Sequence, residues 1–135
     1  MGEGEILAKI LIVEDNALNI KLFCDLLAAH GHEPQAVTDS RQALDAAREF
    51  VPELVITDIQ LPHVSGLDLI RLIRADEQLK EVPIMAVTAY ASLGDEERIR
   101  GAGAESYVTK PISVARFVQE VDSLLARKEP VTTAA

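Results

Sequence analysis

The chain alternates short apolar runs with longer stretches in which apolar residues recur every three or four positions. Ala8 to Val13 (Ala-Lys-Ile-Leu-Ile-Val), Leu54 to Thr57 and Pro83 to Val87 have strand length and are apolar on successive residues, the pattern of strands buried on both faces. Pro34 to Val37 and Ser106 to Val108 are shorter strand candidates, the first weaker than the others. The intervening stretches read as helices. Ala17 to about His30 carries Leu18, Leu22, Phe23, Leu26 and Leu27 at helical spacing, with Asp15 or Asn16 as cap and Gly31 as stop. Ser40 caps a second helix ending near Phe50 before Pro52, on which Ala43, Ala47 and Phe50 share a face. Leu67, Ile70 and Ile73, flanked by Leu69 and Leu72, predict a third from Gly66 to Ala75 or slightly beyond. Ala91 to Ala102 is a polar helix anchored only by Leu93, Ile99 and Ala102 and weakened by Gly94 and Gly101, so its docking should be soft. Ser113 caps a fifth helix patterned by Val114, Phe117, Val118, Val121, Leu124 and Leu125.

Five strands alternating with five helices predict an α/β fold with a mainly parallel sheet, right-handed crossovers and helices on both faces. At 135 residues the chain fits one domain, expected over residues 8–127, with a flexible arm at 1–7, a polar tail at 128–135 and no output domain. With Ile20 added, the apolar residues of the first helix cover an arc of about 200°, wider than a core-facing stripe needs. Part of that helix is therefore expected to meet a partner.

Composition narrows the field. Twenty-two acidic against thirteen basic side chains give a net charge of −9, which repels nucleic-acid phosphates, and Arg71, Arg74, Arg98 and Arg100 read as scattered residues on solvated helix faces. Aromatic residues are too sparse for a base-stacking platform. No stretch approaches the length of a membrane span, and the first five residues lack the basic start of a signal peptide. The lone Cys24 forms no internal disulfide and reads as a small buried residue in a reducing, cytoplasmic setting.

The candidate chemistry lies where the strands end. Glu14 and Asp15 follow the first strand, Asp58 the third, Thr88 the fourth and Lys110 the fifth. Ligands bind outside the carboxyl ends of open α/β sheets, at the point where strand order reverses. If the first and third strands are neighbours there, three carboxylates converge. Such a cluster repels itself unless one acid is protonated or a cation is bound, and oxygen ligands with room for water and phosphate favour Mg²⁺ over a full Ca²⁺ cage. No Cys/His cluster suggests zinc, and His30, His32 and His63 are dispersed as surface or loop residues. Loop signals at Leu61-Pro62 and Ser65-Gly66 place Asp58 where a rigid strand hands over to a loop. A rigid turn at Lys110-Pro111 would aim an ammonium into the cleft instead of leaving it on the surface. An anionic nucleophile, a cation, a hydroxyl and an ammonium together suit phosphoryl transfer to Asp58.

Ile12-Val13-Glu14-Asp15-Asn16, Val55-Ile56-Thr57-Asp58, Leu61-Pro62 with Ser65-Gly66, Val87-Thr88-Ala89 and Lys110-Pro111 resemble the signature set of receiver domains of bacterial two-component response regulators. The resemblance covers about residues 8 to 127 and implies a flavodoxin-like, CheY-like doubly wound fold with strand order 2-1-3-4-5. It further implies that Asp58 is the phosphoacceptor and that Glu14, Asp15, Asp58 and the backbone carbonyl of Gln60 hold Mg²⁺. Thr88 and Lys110 would read the phosphoryl group, and Tyr107 would turn inward when Thr88 moves. If that geometry holds, Gln60 and Tyr90 flank the path of water to the acyl phosphate and modulate dephosphorylation. Asn16 to Phe23, Gly94 to Arg100 and Lys110 to Val114 are similar to DivK-type single-domain regulators, which implies a role in cell-cycle and developmental signalling.

The expected partners are a histidine kinase or histidine phosphotransferase, docking at Asn19, Ile20, Leu22, Phe23 and Ile112. A downstream protein would be reached through the fourth helix, fifth strand and fifth helix, with the chain a monomer or weak dimer. Three other readings are weaker. A receiver excised from a hybrid kinase or larger regulator shares these motifs. A Mg²⁺-dependent phosphohydrolase would usually place a second acid two residues after its nucleophile, where this chain has Gln60. A phosphorylation-independent binding module gives no reason for the acids, threonine and lysine to coexist.

Overall fold

The computed structural model describes residues 7–90 and 92–128. Most of the expected arm and tail lies outside that range. The elements run β1 (Lys9–Val13), α1 (Ala17–Ala29), β2 (Glu33–Val37), α2 (Ala43–Phe50), β3 (Leu54–Asp58), α3 (Gly66–Ala75), β4 (Ile84–Thr88), α4 (Leu93–Ala102), β5 (Ser106–Thr109) and α5 (Val114–Lys128). All strand pairs are parallel, in the order β2-β1-β3-β4-β5. The order reverses between β1 and β3, as expected.

Alternation along each strand divides the core in two. Ile10, Ile12, Leu54, Ile56, Met85 and Val87 face one side with Phe23 and Leu27 of α1 and Phe117, Val121 and Leu124 of α5. Leu11, Val13, Val55, Ile84 and Ala86 face the other, against Ala43, Ala47, Leu69, Ile70, Ile73 and Ile99 of α2, α3 and α4. Because both faces are covered, β3 and β4 are buried along their whole length, which explains their unbroken apolar runs. β2 pairs only with β1, and as an edge strand it tolerates Pro34 and exposed positions.

Several local expectations are corrected. Ser40 is not a helix cap: the Asp39 carboxylate accepts from the Arg41 amide and opens a short 3-10 turn, while the buried Ser40 hydroxyl turns inward. On α3 the core residues are Leu69, Ile70 and Ile73, with Leu67 half-buried and Leu72 exposed, because the core stripe runs through positions 66, 69, 70 and 73. Leu93 is 79% exposed and anchors nothing, leaving α4 with Ile99 and Ala102. His32 is buried between α1 and α5, and Cys24 is only half-buried. Arg74 is not a solvated surface residue. Its guanidinium donates to the carbonyls of Gly103, Val82 and Lys80 and pairs with Glu105 at 2.7 Å. Phe23, grouped above with the docking residues, is fully buried and stacks on Phe117 with ring centroids 4.9 Å apart, so it belongs to the core.

Candidate functional site

The carboxyl ends of β1, β3, β4 and β5 meet at one end of the sheet. Strand register sets Asp58 beside Val87 and Thr88 beside Thr109, so the polar residues that end these strands reach the same rim. Carboxylate oxygens of Glu14, Asp15 and Asp58 lie within 4.8 Å of one another. Asp58 is 2% exposed and Glu14 is 1% exposed, whereas Asp15 is open to solvent. The Lys110 ammonium donates to Asp58 Oδ2 at 2.9 Å, and the Gln60 amide donates to Oδ1 at 3.1 Å. The Lys110–Pro111 peptide bond is cis.

Neighbouring elements hold these groups. Asn16 caps α1 through its side chain, and its own amide donates to Glu14 Oε2 at 3.2 Å, with Asn19 Nδ2 on the same oxygen at 3.3 Å. Asn19, expected at a docking surface, thus also orients an acid of the site. Glu14 Oε1 is buried with no hydrogen-bond partner. Gly66 lets α3 start directly against β3: a Cβ there would lie 2.6 Å from the Ile59 Cα and still closer to the Asp58 carbonyl oxygen. The Ser40 hydroxyl donates to the Pro62 carbonyl at 2.8 Å and accepts from the Val64 amide at 3.1 Å, pinning the loop after Asp58.

The electrostatics follow from this packing. Burial, and then the nearby Asp58 charge, push the Glu14 carboxyl above its ordinary value, against the opposing pull of Lys110 and the Asn19 and Asn16 hydrogen bonds. Burial works against the charge on Lys110, but its hydrogen bond to Asp58 and the charges of Asp58, Glu14 and Asp15 outweigh it and raise its pKa. The cleft therefore holds a fixed ammonium beside an excess of carboxylate. A buried acid oxygen without a partner, within a three-acid cluster, fits a hard divalent cation bound by oxygen.

The side chain of Gln60 does more than its sequence position suggested. Its Nε2 donates to Thr88 Oγ1 at 3.3 Å and its Oε1 accepts from the Ala89 amide at 3.2 Å. Thr88 Oγ1 also accepts from the Tyr90 amide at 3.0 Å. Tyr90 is 58% exposed and lines a small cavity of about 40 Å³ with Gln60, Thr88, Asp95 and Ile99. Tyr107 is half-buried, with the Arg100 guanidinium 5.5 Å from its ring centroid. Ile20, Leu22 and Ile112 are half-buried, and Leu18, one turn before Leu22, is 79% exposed. Neither the Ser40 pin nor the Gln60 bridge was found by sequence reasoning, since a serine before a helix and a loop glutamine carry no distinctive pattern.

Comparisons with known proteins bear on the family and the fold. Residues 10–122 match the family described as the response regulator receiver domain. The polar-differentiation response regulator DivK of Brucella ovis is 52% identical over 116 residues, which cover 86% of this chain and 94% of that protein. Among solved structures, the receiver domain of the sensor histidine kinase PA1611 from Pseudomonas aeruginosa PAO1 carries a magnesium ion coordinated in its active-site cleft. It is 33% identical with a TM-score of 0.81, over 88% of this chain and 98% of that one. A putative response regulator from Chloroflexus aurantiacus is 28% identical with a TM-score of 0.85, over 89% of this chain and 98% of that one. The chain belongs to the response regulator receiver family.

Proposed function

Starting from that membership, we propose that the chain is a phosphoacceptor switch in which Asp58 takes a phosphoryl group from a phosphohistidine. The observation that carries this reading is the buried Asp58 carboxylate held between the Lys110 ammonium and the Glu14–Asp15 pair. A carboxylate oxygen of Asp58 attacks phosphorus in line, a new P–O bond forms, the P–N bond breaks and the imidazole nitrogen keeps the electron pair. Lys110 neutralises an equatorial phosphoryl oxygen, and the Thr88 hydroxyl donates to another. Glu14, Asp15, Asp58 and the Gln60 carbonyl would hold Mg²⁺, which supplies charge neutralisation at the transferring oxygens. Support for the ion comes from the acid cluster and from the magnesium bound by the PA1611 receiver.

Phosphorylation places dianionic charge and strong acceptors beside Thr88, and the weakly docked α4 is the element such an event biases. Tyr107 then moves inward as Thr88 approaches the phosphoryl group. The donor, a histidine kinase or phosphotransferase, docks on Leu18, Ile20 and Leu22 of α1 with Ile112, and the altered surface of α4, β5 and α5 engages a protein target. Likeness to DivK supports a role in polar or cell-cycle control. A net charge of −9 argues against nucleic acid, and no helix among the described residues is long and apolar enough to cross a membrane. A cytoplasmic location belongs to the same proposal, supported by the lone cysteine, which suits a reducing setting.

Intact mass after incubation with acetyl phosphate, with and without Mg²⁺, tests the proposal on wild type and Asp58→Asn. One phosphoryl adduct that requires both Mg²⁺ and Asp58 is expected. An adduct surviving in Asp58→Asn, or none in wild type with Mg²⁺ binding verified, overturns it.

A further inference from the structure

We propose that the Gln60 side chain is a clasp that holds the resting state and sets how readily the site accepts a phosphoryl group; this rests on Asp58 being the phosphoacceptor. The primary amide spans two loops, from the turn after β3 to the turn after β4. It gives one hydrogen bond to Thr88 Oγ1 and takes one from the Ala89 amide. The pattern fixes the amide orientation, because an N–H from Ala89 requires the carbonyl end and leaves the NH₂ end for Thr88.

The consequence lies in the Thr88 hydroxyl. Its oxygen accepts from both Gln60 Nε2 and the Tyr90 amide, so the turn after β4 is held from two sides. In the switch proposed above Thr88 approaches the phosphoryl group on Asp58, and that movement takes its oxygen away from these donors. The Gln60 amide then loses a partner on Thr88, and the Ala89 amide loses its acceptor as the turn shifts. Two hydrogen bonds present only in the resting arrangement oppose the transition, and bonds of ordinary net strength shift such an equilibrium by about tenfold together. A shorter or apolar side chain at position 60 forms no such bridge. Gln60 is a positioning residue acting through Thr88, a role distinct from any effect on water reaching the phosphoryl group.

Two readouts on the full chain test the clasp: amide hydrogen exchange at Ala89 in the unphosphorylated protein, and binding of beryllofluoride with Mg²⁺ as a phosphoryl mimic. Wild type is compared with Gln60→Leu, which removes both the donor and the acceptor, and with Gln60→Glu, which keeps an acceptor for Ala89 but loses the donor to Thr88. In Gln60→Leu the Ala89 amide should exchange about tenfold faster and beryllofluoride should bind about tenfold more tightly, with thermal unfolding still cooperative and only slightly lowered. In Gln60→Glu the Ala89 protection should persist. Unchanged Ala89 exchange in folded Gln60→Leu, or equal or weaker beryllofluoride binding, overturns the clasp. Failure of beryllofluoride to bind wild type at all would count against the phosphoacceptor reading, while the exchange result would still decide whether the clasp exists.

Discussion

Helices α3 and α4 are both ten residues long, and each begins with a serine whose hydroxyl accepts from the amide three residues on. They differ in how they are attached. α3 buries Leu69, Ile70 and Ile73 along its length, and at Gly66 its first turn presses on the β3 backbone beside Asp58. α4 buries only Ile99 and Ala102, both near its carboxyl end. Its cohesion is local, from the reciprocal Ser92–Asp95 capping box and from the Asp95–Arg98 and Glu96–Arg100 pairs. Arg74 of α3 clasps its far end by donating to the carbonyl of Gly103 at 2.8 and 3.0 Å. α4 is thus a helix that holds itself together but is fastened to the protein at one end. Its loose end follows Thr88 and Tyr90, so softness lies where a phosphoryl group would act.

The largest test of this contrast is Ile70→Ala, which should cost about 2–5 kcal/mol in urea unfolding because it opens a cavity beneath a fixed helix. Arg74→Ala comes next. Loss of charged hydrogen bonds to partly buried carbonyls should cost about 2 kcal/mol and should raise amide exchange in the last turn of α4. A smaller effect comes from the opposite face of the sheet, where burial lowers the His32 pKa against the opposing pull of Asp122 and Glu53 and with help from His30. Well above pH 6.5, the ordinary value for histidine, the imidazole is neutral in folded and unfolded chains alike. As pH falls below that value the unfolded chain protonates first, so stability declines until the folded pKa is passed. Glu14, raised by burial, works in the opposite direction over the carboxylate range, so the readout is the slope difference between wild type and His32→Leu from pH 7 to 5. The α3–α4 contrast should survive that titration. Leu93→Ala should change stability least, within about 0.5 kcal/mol, because the side chain is exposed at the loose end of α4.

Strand ends were legible because burial on both faces makes a strand an unbroken apolar run, so the first ionisable or polar residue after it marks the rim. That rule led to Glu14, Asp15, Asp58 and Thr88, and the proline turn after β5 added Lys110; the fold brings all five to one cleft. The sparse anchoring of α4 was legible too, although one anchor was misread: Leu93 looked apolar enough to dock, yet helical phase carries it to solvent. What escaped were long polar side chains whose partners are distant in sequence. Arg74 resembled any solvated helix arginine until Gly103 and Glu105, some thirty residues on, were seen to satisfy it. Gln60 likewise reaches Thr88 and Ala89 across a gap set only by strand order. Ser40 and His32 were misplaced because their residue types favour caps and surfaces, and only tertiary packing turned them inward.

The most direct test of the account is amide hydrogen exchange across α3 and α4, with and without acetyl phosphate and Mg²⁺, in wild type and Asp58→Asn. The account predicts that on phosphorylation residues 89–97 change protection while residues 66–75 do not, and that Asp58→Asn shows neither change. Matching changes in both helices, or no change in residues 89–97 with the phosphoryl adduct verified by mass, would contradict it.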